Sequence, residues 1–195
     1  SGHLEVAGRD LRTARAQTRA RIGYVSQKFA LYANLSVREN LDFFAGAYGL
    51  GGARARDRIG AVIDQFQLDP RAQSGILPTG YKQRLAMAAG LLHEPEILFL
   101  DEPTSGIDPL ARRAFWRTIT ALARSGVTIV VTTHFMEEAE YCDRIAIQDA
   151  GRMLALGTPA QVRAQAGGDA VDMNAAFIAI VEQGRVDERQ DRHAA

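Results

Sequence analysis

Asp101 and Glu102 stand side by side at the end of the apolar run Ile97–Leu100, inside the stretch ILFLDEPTSGIDP. Four bulky apolar residues bounded by polar and turn-forming ones suit a short strand buried on both faces. Burying an unpaired carboxylate is costly, so an acid pair at the tip of such a strand needs an explanation. Pro103 cannot donate a ladder hydrogen bond, which stops the strand there. Two readings fit. One acid can serve a metal–phosphate complex while the other polarises a water molecule, or the pair is a solvated, strand-ending turn.

Two further strand ends carry polar residues. Gln27 closes RIGYVSQ, and His134 closes VTIVVTTH, the most β-branched run in the chain. Singly, a strand-end glutamine is a surface residue and a histidine after two threonines is a hydrogen-bonded structural one. Jointly with Asp101 and Glu102 they carry more weight, because ligands of open α/β sheets bind outside the carboxyl ends of the strands.

Helices separate these strands. SVRENLDFFAGAYGL opens with Ser36 and Glu39 at capping-box spacing and sets Val37, Leu41, Phe44, Ala45 and Tyr48 on one face. Glycines from Gly49 to Gly52 break it, and a second helix carries Ile59, Val62, Ile63 and Phe66. In LPTGYKQRLAMAAGLLHEP a turn at Thr79-Gly80 leads into a helix ending near Pro95. Another helix covers Leu110 to Arg124, FMEEAEYCD reads as a helix, and RIAIQDAGRMLALG reads as two strands about a turn at Ala150-Gly151. Thr158, Pro159 and Gln161 start a capped helix, and a last amphipathic helix carries Phe177, Ile180 and Val181. Strands alternating with helices predict an α/β domain with a mainly parallel sheet. Its expected parts are a core over 1–28 and 85–183, a helical subdomain over 29–84, and a polar tail over 184–195.

Composition narrows the function. With 195 residues the chain has room for one sizeable domain. Lys+Arg and Asp+Glu balance at 23 each, so no global field points to nucleic acid or acidic lipid. Cys142 is the only cysteine, which excludes an internal disulfide and a cysteine-based metal site and fits a reducing cytosol. No apolar run reaches the length of a membrane span, and the start has no signal-peptide pattern. The chain opens on Ser-Gly rather than methionine and reads as cut from something longer.

The order and spacing of these segments resemble the nucleotide-binding domain of an ABC transporter, from just beyond its phosphate-binding loop to its end. ILFLDEP resembles the Walker B strand, TSGIDP the D-loop, VVTTH the switch-histidine segment and YVSQ the Q-loop, while LPTGYKQRL stands in the place of the signature. HEPEILFLDEPTSGIDP and TTHFMEEAEYCDRIAI are most similar to the ATPases of bacterial ABC-2-type multidrug exporters, within them to the second half of the tandem-ATPase type.

The resemblance implies a P-loop NTPase-type, mainly parallel sheet with an inserted helical subdomain, here lacking the N-terminal Walker A strand and loop. It implies ATP and Mg²⁺ as ligands. Asp101 would hold the Mg²⁺ hydration shell, and Gln27 would reach the metal and the attacking water. Glu102 would orient or deprotonate that water, and His134 would contact the γ-phosphate. Thr79, Gly80 and Tyr81, at the start of the signature helix, would meet the partner's nucleotide. Ser105 and Asp108 would communicate across a head-to-tail dimer with a second ATPase domain. Transmembrane permease subunits would dock on the helical insert, at Phe29, Leu31 and Tyr32. The implied place is the cytoplasmic face of the bacterial inner membrane, with no nucleic-acid partner.

Two departures qualify the resemblance. The family's signature is Leu-Ser-Gly-Gly-Gln, and this chain has Leu77, Pro78, Thr79, Gly80 and Tyr81. Pro78 removes a hydroxyl and a backbone N–H, whereas Thr79 restores a hydroxyl one position later and Gly80 keeps the close-approach glycine, so the expectation is a working variant. The second departure is larger. A phosphate-binding loop requires Gly-Lys followed by Ser or Thr, and the only lysines, Lys28 and Lys82, follow Gln27 and Tyr81. In the family the Walker A strand lies between the Val127–Thr132 and Arg144–Ile147 strands, so this chain alone is expected to be marginally stable and without ATPase activity. Two other functions compete with exporter ATPase. A non-hydrolysing regulatory or structural ABC partner has no need of Glu102 or His134. A soluble ABC ATPase acting on DNA or ribosomes is disfavoured by the neutral charge and the lack of coiled-coil insertions.

Overall fold

The computed structural model describes residues 5–6, 8–10, 18–28, 30–167 and 172–194. Phe29 lies outside the described residues. The chain forms two compact units, Ser1–Thr132 and Thr133–Ala195.

The first unit is built on a parallel sheet. Strands β1 (Glu5–Val6) and β2 (Arg9–Asp10) form a short antiparallel pair of their own. The parallel sheet has the order β3-β4-β5, from Ile22–Val25, Ile97–Asp101 and Thr128–Thr132. Its register aligns Ile22 with Ile97 and Thr128, and Tyr24 with Phe99 and Val130. Side chains alternate between the faces. Gly23, Val25, Leu98 and Leu100 are buried on one face, while Tyr24 and Val130 on the other are 59% and 43% exposed.

Helices cover the buried face. Helix α1 (Val37–Ala47) starts with the capping box of Ser36 and Glu39, and α2 (Gly52–Phe66) buries Ile59, Val62 and Phe66. Helix α3 (Thr79–Leu91) buries Leu85 and every residue from Met87 to Leu91, because α1, α2, β3 and α4 (Pro109–Arg124) all pack on it. Its small residues permit this. A Cβ on Gly23 would lie 2.5 Å from the carbonyl oxygen of Gly90, so strand and helix touch backbone to backbone.

The buried side of α1 differs from its hydrophobic pattern. Asn40 is fully buried, whereas Tyr48 is 37% exposed. Asn40 earns its interior place by satisfying both ends of its amide. Its Nδ2 donates to the carbonyls of Tyr32 and Ser36 (3.0 Å each) and to Ser74 Oγ (2.8 Å), and its Oδ1 accepts from the Tyr32 N–H (2.9 Å). A buried amide so bonded ties the loop before α1 to the turn at Ser74–Ile76.

Tyr48 instead stacks on His93, with ring centroids 3.9 Å apart, and His93 Nε2 hydrogen-bonds the Ile22 carbonyl at 3.0 Å. His93 Nδ1 is buried without a hydrogen-bond partner among the described residues. Burial holds the imidazole below its ordinary value, against a smaller opposing effect of the Ile22 carbonyl. The folded state therefore favours the neutral ring, and the unfolded chain binds the extra proton first. Stability is level above the ordinary histidine value of about 6.5 and falls as the pH drops from there through the lower folded value. Thermal midpoints of the chain and of His93→Gln between pH 7.5 and 5 should diverge only below about 6.5, with the histidine form losing more. Parallel curves would refute this.

The second unit pairs β6 (Ile145–Asp149) with β7 (Arg152–Gly157) around a turn whose Ala150 and Gly151 both have positive φ, 47° and 77°. Helix α5 (Pro159–Gln165) starts with the reciprocal Thr158–Gln161 capping box, and α6 spans Met173–Ala194. Ile147, Ala155, Val162, Met173, Ala176, Ile180 and Val181 form the core. FMEEAEYCD forms a 3₁₀ turn over Met136–Tyr141 rather than an α-helix. Gly184, where the sequence suggests the start of a polar tail, lies inside α6. A Cβ there would come within 2.8 Å of Leu154, so the glycine admits a neighbouring side chain instead of breaking the helix.

Candidate functional site

The register of the parallel sheet brings its polar strand ends together. Gln27 lies just beyond β3, and its Nε2 donates to Glu102 Oε2 at 2.6 Å. Asp101 is the last residue of β4 and stands in register with Thr132, the last of β5. Strand geometry would send adjacent side chains to opposite faces. Glu102 escapes that by adopting φ 44°, a left-handed conformation that costs a non-glycine residue about 1–3 kcal/mol. The turn is held by the Glu102 N–H donating to the Thr132 carbonyl (3.0 Å), and by the Ser105 N–H donating to the Glu102 carbonyl (3.1 Å).

Asp101 has a partner on each oxygen. Thr132 Oγ1 donates to Oδ1 at 2.6 Å, and Tyr24 Oη donates to Oδ2 at 3.2 Å. Burial, and then the charge of Asp101, push the Tyr24 phenol above its ordinary value, which keeps it a donor. The donors at this end of the sheet are carboxylate, amide and hydroxyl oxygens, the hard set that suits Mg²⁺. No group of three or more His, Cys, Asp or Glu among the described residues could hold a metal by itself.

A second set gathers at the α3–α4 groove of the same unit. Helix α3 begins at Thr79, two residues earlier than the sequence suggests, because extended Pro78 already accepts from the N–H groups of Tyr81 and Lys82. Gly80, Tyr81 and Asp108 line a cavity of about 340 Å³ with Phe66, Arg84 and Phe115. Asp108 caps α4, its Oδ1 accepting from the N–H groups of Leu110 and Ala111 at 3.0 Å each. The Arg84 guanidinium sits over the Tyr81 ring, 5.1 Å from its centroid.

His134 belongs to the second unit. The Thr133 hydroxyl beside it accepts from the Phe135 N–H (3.0 Å) and donates to the buried Glu138 carboxylate (2.6 Å), which pins the loop carrying the imidazole. The structure thus joins Gln27 to Glu102 beside Asp101 and collects Gly80, Tyr81 and Asp108 at one groove. Thr79 sits in the first turn of α3, and Ser105 in the turn after Glu102.

An ABC transporter family model matches residues 1–105, more than half of the chain. The chain belongs to the ABC transporter family. It is 48% identical over 186 residues to the probable multidrug ABC transporter ATP-binding protein YbhF of Escherichia coli, covering 93% of this chain and 32% of that protein. The daunorubicin resistance ATP-binding protein DrrA3 of Streptomyces coeruleorubidus is 39% identical over 89% of this chain and 56% of its own length. For the linearmycin resistance ATP-binding protein LnrL of Bacillus subtilis the figures are 38%, 93% and 61%. The chain therefore spans about a third of YbhF and less than two thirds of the other two. Among solved structures, an ATP-binding subunit of an ABC transporter matches with a TM-score of 0.79 and 29% identity over 93% of this chain and 77% of that one. CbiO1 of Clostridium perfringens, part of a CbiONQ transporter complex, matches at 0.76 and 28% over 85% and 69%. These neighbours bear out the expected α/β fold.

Two residues of the ABC chain's strand-end cluster escaped the sequence reading, Tyr24 and Thr132. Each sits in a strand as an ordinary β-former, and only the cross-strand register reveals that both reach Asp101. Phe43 is a third. It is 49% exposed and packs edge-to-face on Tyr32, with centroids 4.8 Å apart.

Proposed function

We propose that this chain forms most of the nucleotide-binding domain of an ATP-driven exporter of drugs or other small hydrophobic compounds, at the cytoplasmic face of the bacterial inner membrane. The observation that carries it is the Gln27–Glu102 bond beside Asp101 at the carboxyl ends of parallel strands. There Asp101 would hold Mg²⁺ through its hydration shell, and a bound ion would supply charge neutralisation to the substrate's phosphates. Gln27 and Glu102 share the attacking water, with Glu102 orienting it and taking its proton for in-line attack. His134 contacts the γ-phosphate. The names of YbhF, DrrA3 and LnrL support the exporter assignment.

Thr79, Gly80 and Tyr81 address the nucleotide of a second ATPase domain in a head-to-tail dimer, with Ser105 and Asp108 relaying between the two sites. The exposed Tyr32–Phe43 pair and the half-buried Leu31 present an apolar surface to a transmembrane permease. The β- and γ-phosphates take their cradle from residues outside these 195, since no Gly-Lys-Ser/Thr occurs among them. The row Tyr24–Phe99–Val130, exposed at both of its ends, and the single neighbour of β5 among the described residues support this, because a parallel sheet is ordinarily covered on both faces.

Equilibrium dialysis with Mg·ATP tests the assignment. The 195-residue chain should show no saturable binding. The same chain joined behind a strand, phosphate loop and helix should bind with a dissociation constant below about 1 mM. Failure to bind in the joined form would sink the proposal.

A further inference from the structure

We propose that Thr132 is a positioning residue for the Asp101–Glu102 pair, locking both acids through one hydroxyl, with Tyr24 as a second support on Asp101. The Thr132 hydroxyl has a single proton and spends it on Asp101 Oδ1 at 2.6 Å. Its lone pairs face the Glu102 N–H, which reaches Oγ1 at 3.2 Å as well as the Thr132 carbonyl at 3.0 Å. One side chain therefore touches the carboxylate of the first acid and the backbone of the second.

That backbone is the strained one. Glu102 holds φ 44°, and such a conformation persists only where the surroundings over-determine it. Tyr24 completes the arrangement from the other flank of β4, donating to Asp101 Oδ2 at 3.2 Å. With a hydroxyl on each oxygen, Asp101 is confined to one rotamer and its remaining lone pairs have fixed directions. Partners of this kind orient a metal-ligating carboxylate and set its affinity.

A purely structural threonine would act through β-branching and its backbone bond, both of which valine keeps. Thr132→Val deletes only the hydroxyl, and Thr132→Ser retains it while dropping the methyl. The metal part of the inference rests on the function proposed above, whereas the rotamer part does not.

The test uses the 195-residue chain with ¹³C-labelled aspartate, the Asp101 signals being assigned with Asp101→Asn. Side-chain couplings should show a single Asp101 rotamer in the unsubstituted chain and in Thr132→Ser, and rotamer averaging in Thr132→Val. Tyr24→Phe, at an exposed position where folding is not at risk, should show partial averaging. Mn²⁺ titration followed by electron paramagnetic resonance should weaken about 10-fold in Thr132→Val and recover in Thr132→Ser. A single Asp101 rotamer in Thr132→Val would overturn the inference, as would averaging that serine fails to rescue, and a single rotamer in Tyr24→Phe would overturn the part given to Tyr24. Mn²⁺ binding that ignores Asp101→Asn would instead overturn the metal assignment, and the rotamer result would still decide the role of Thr132.

Discussion

Gly23→Ala is expected to lower the melting temperature of the first unit sharply, while the same substitution at Gly60 raises stability. Both glycines would gain one methyl group. At Gly23 that methyl would lie 2.5 Å from the Gly90 carbonyl oxygen, 2.8 Å from Leu98 Cδ1 and 3.1 Å from Pro95 Cγ. The nearest atom is backbone of a helix buried between α1, α2, α4 and the sheet, so it cannot step aside without moving α3. Overpacking of this kind costs roughly 1–3 kcal/mol and more when backbone must shift, a large share of a domain's stability of about 5–15 kcal/mol. Gly60 sits in the middle of α2 with nothing within 4 Å of a new Cβ. There alanine should add about 0.5–1 kcal/mol through helix propensity. Circular dichroism melts of both variants check the pair of signs. A Gly23→Ala melt that matches the unsubstituted chain would contradict the backbone contact between β3 and α3.

What the sequence discloses depends on how local the chemistry is. The Ser36–Glu39 and Thr158–Gln161 boxes and the Ala150-Gly151 turn are each settled within a few residues, and all three form as their sequences suggest. The acid pair was visible because Pro103 and the apolar run frame it, and the Gln27 strand end did reach it. Thr132 and Tyr24 were not visible, since their meaning lies in register, which no single strand encodes. Asn40 was hidden for a similar reason. Its polarity argued for solvent, while its four bonds depend on a loop and a turn more than thirty residues apart in sequence. FMEEAEYCD misled because its residues favour an α-helix, yet Glu138 is buried to accept from Thr133, which tightens the segment into a 3₁₀ turn. At Gly184 the sequence shows the start of a polar tail, and only the packing of Leu154 shows why glycine is there.

The other large effect concerns chemistry. Glu102→Gln keeps the shape of the side chain and its place in the left-handed turn, and an amide cannot take a proton from water at neutral pH. Loss of a general base lowers turnover by about 10²–10⁴-fold. Gln27 can still bond the new amide oxygen, and neither Asp101 nor its two hydroxyl donors is touched, so Mg·ATP affinity should stay within about three-fold, less than 1 kcal/mol. A variant that lost binding and turnover together would point to a structural rather than a chemical part for Glu102.

The proposed function requires the acid pair at the end of β4 to drive ATP hydrolysis once a phosphate cradle is supplied. Its most direct test is Mg²⁺-dependent phosphate release by the chain joined to a phosphate-loop segment, with and without Glu102→Gln, beside the 195-residue chain alone. Steady release is expected from the joined protein, release reduced by at least about 100-fold in the variant, and none from the chain alone. Equal release from the joined protein and its Glu102→Gln variant, or steady release from the chain alone, would contradict it.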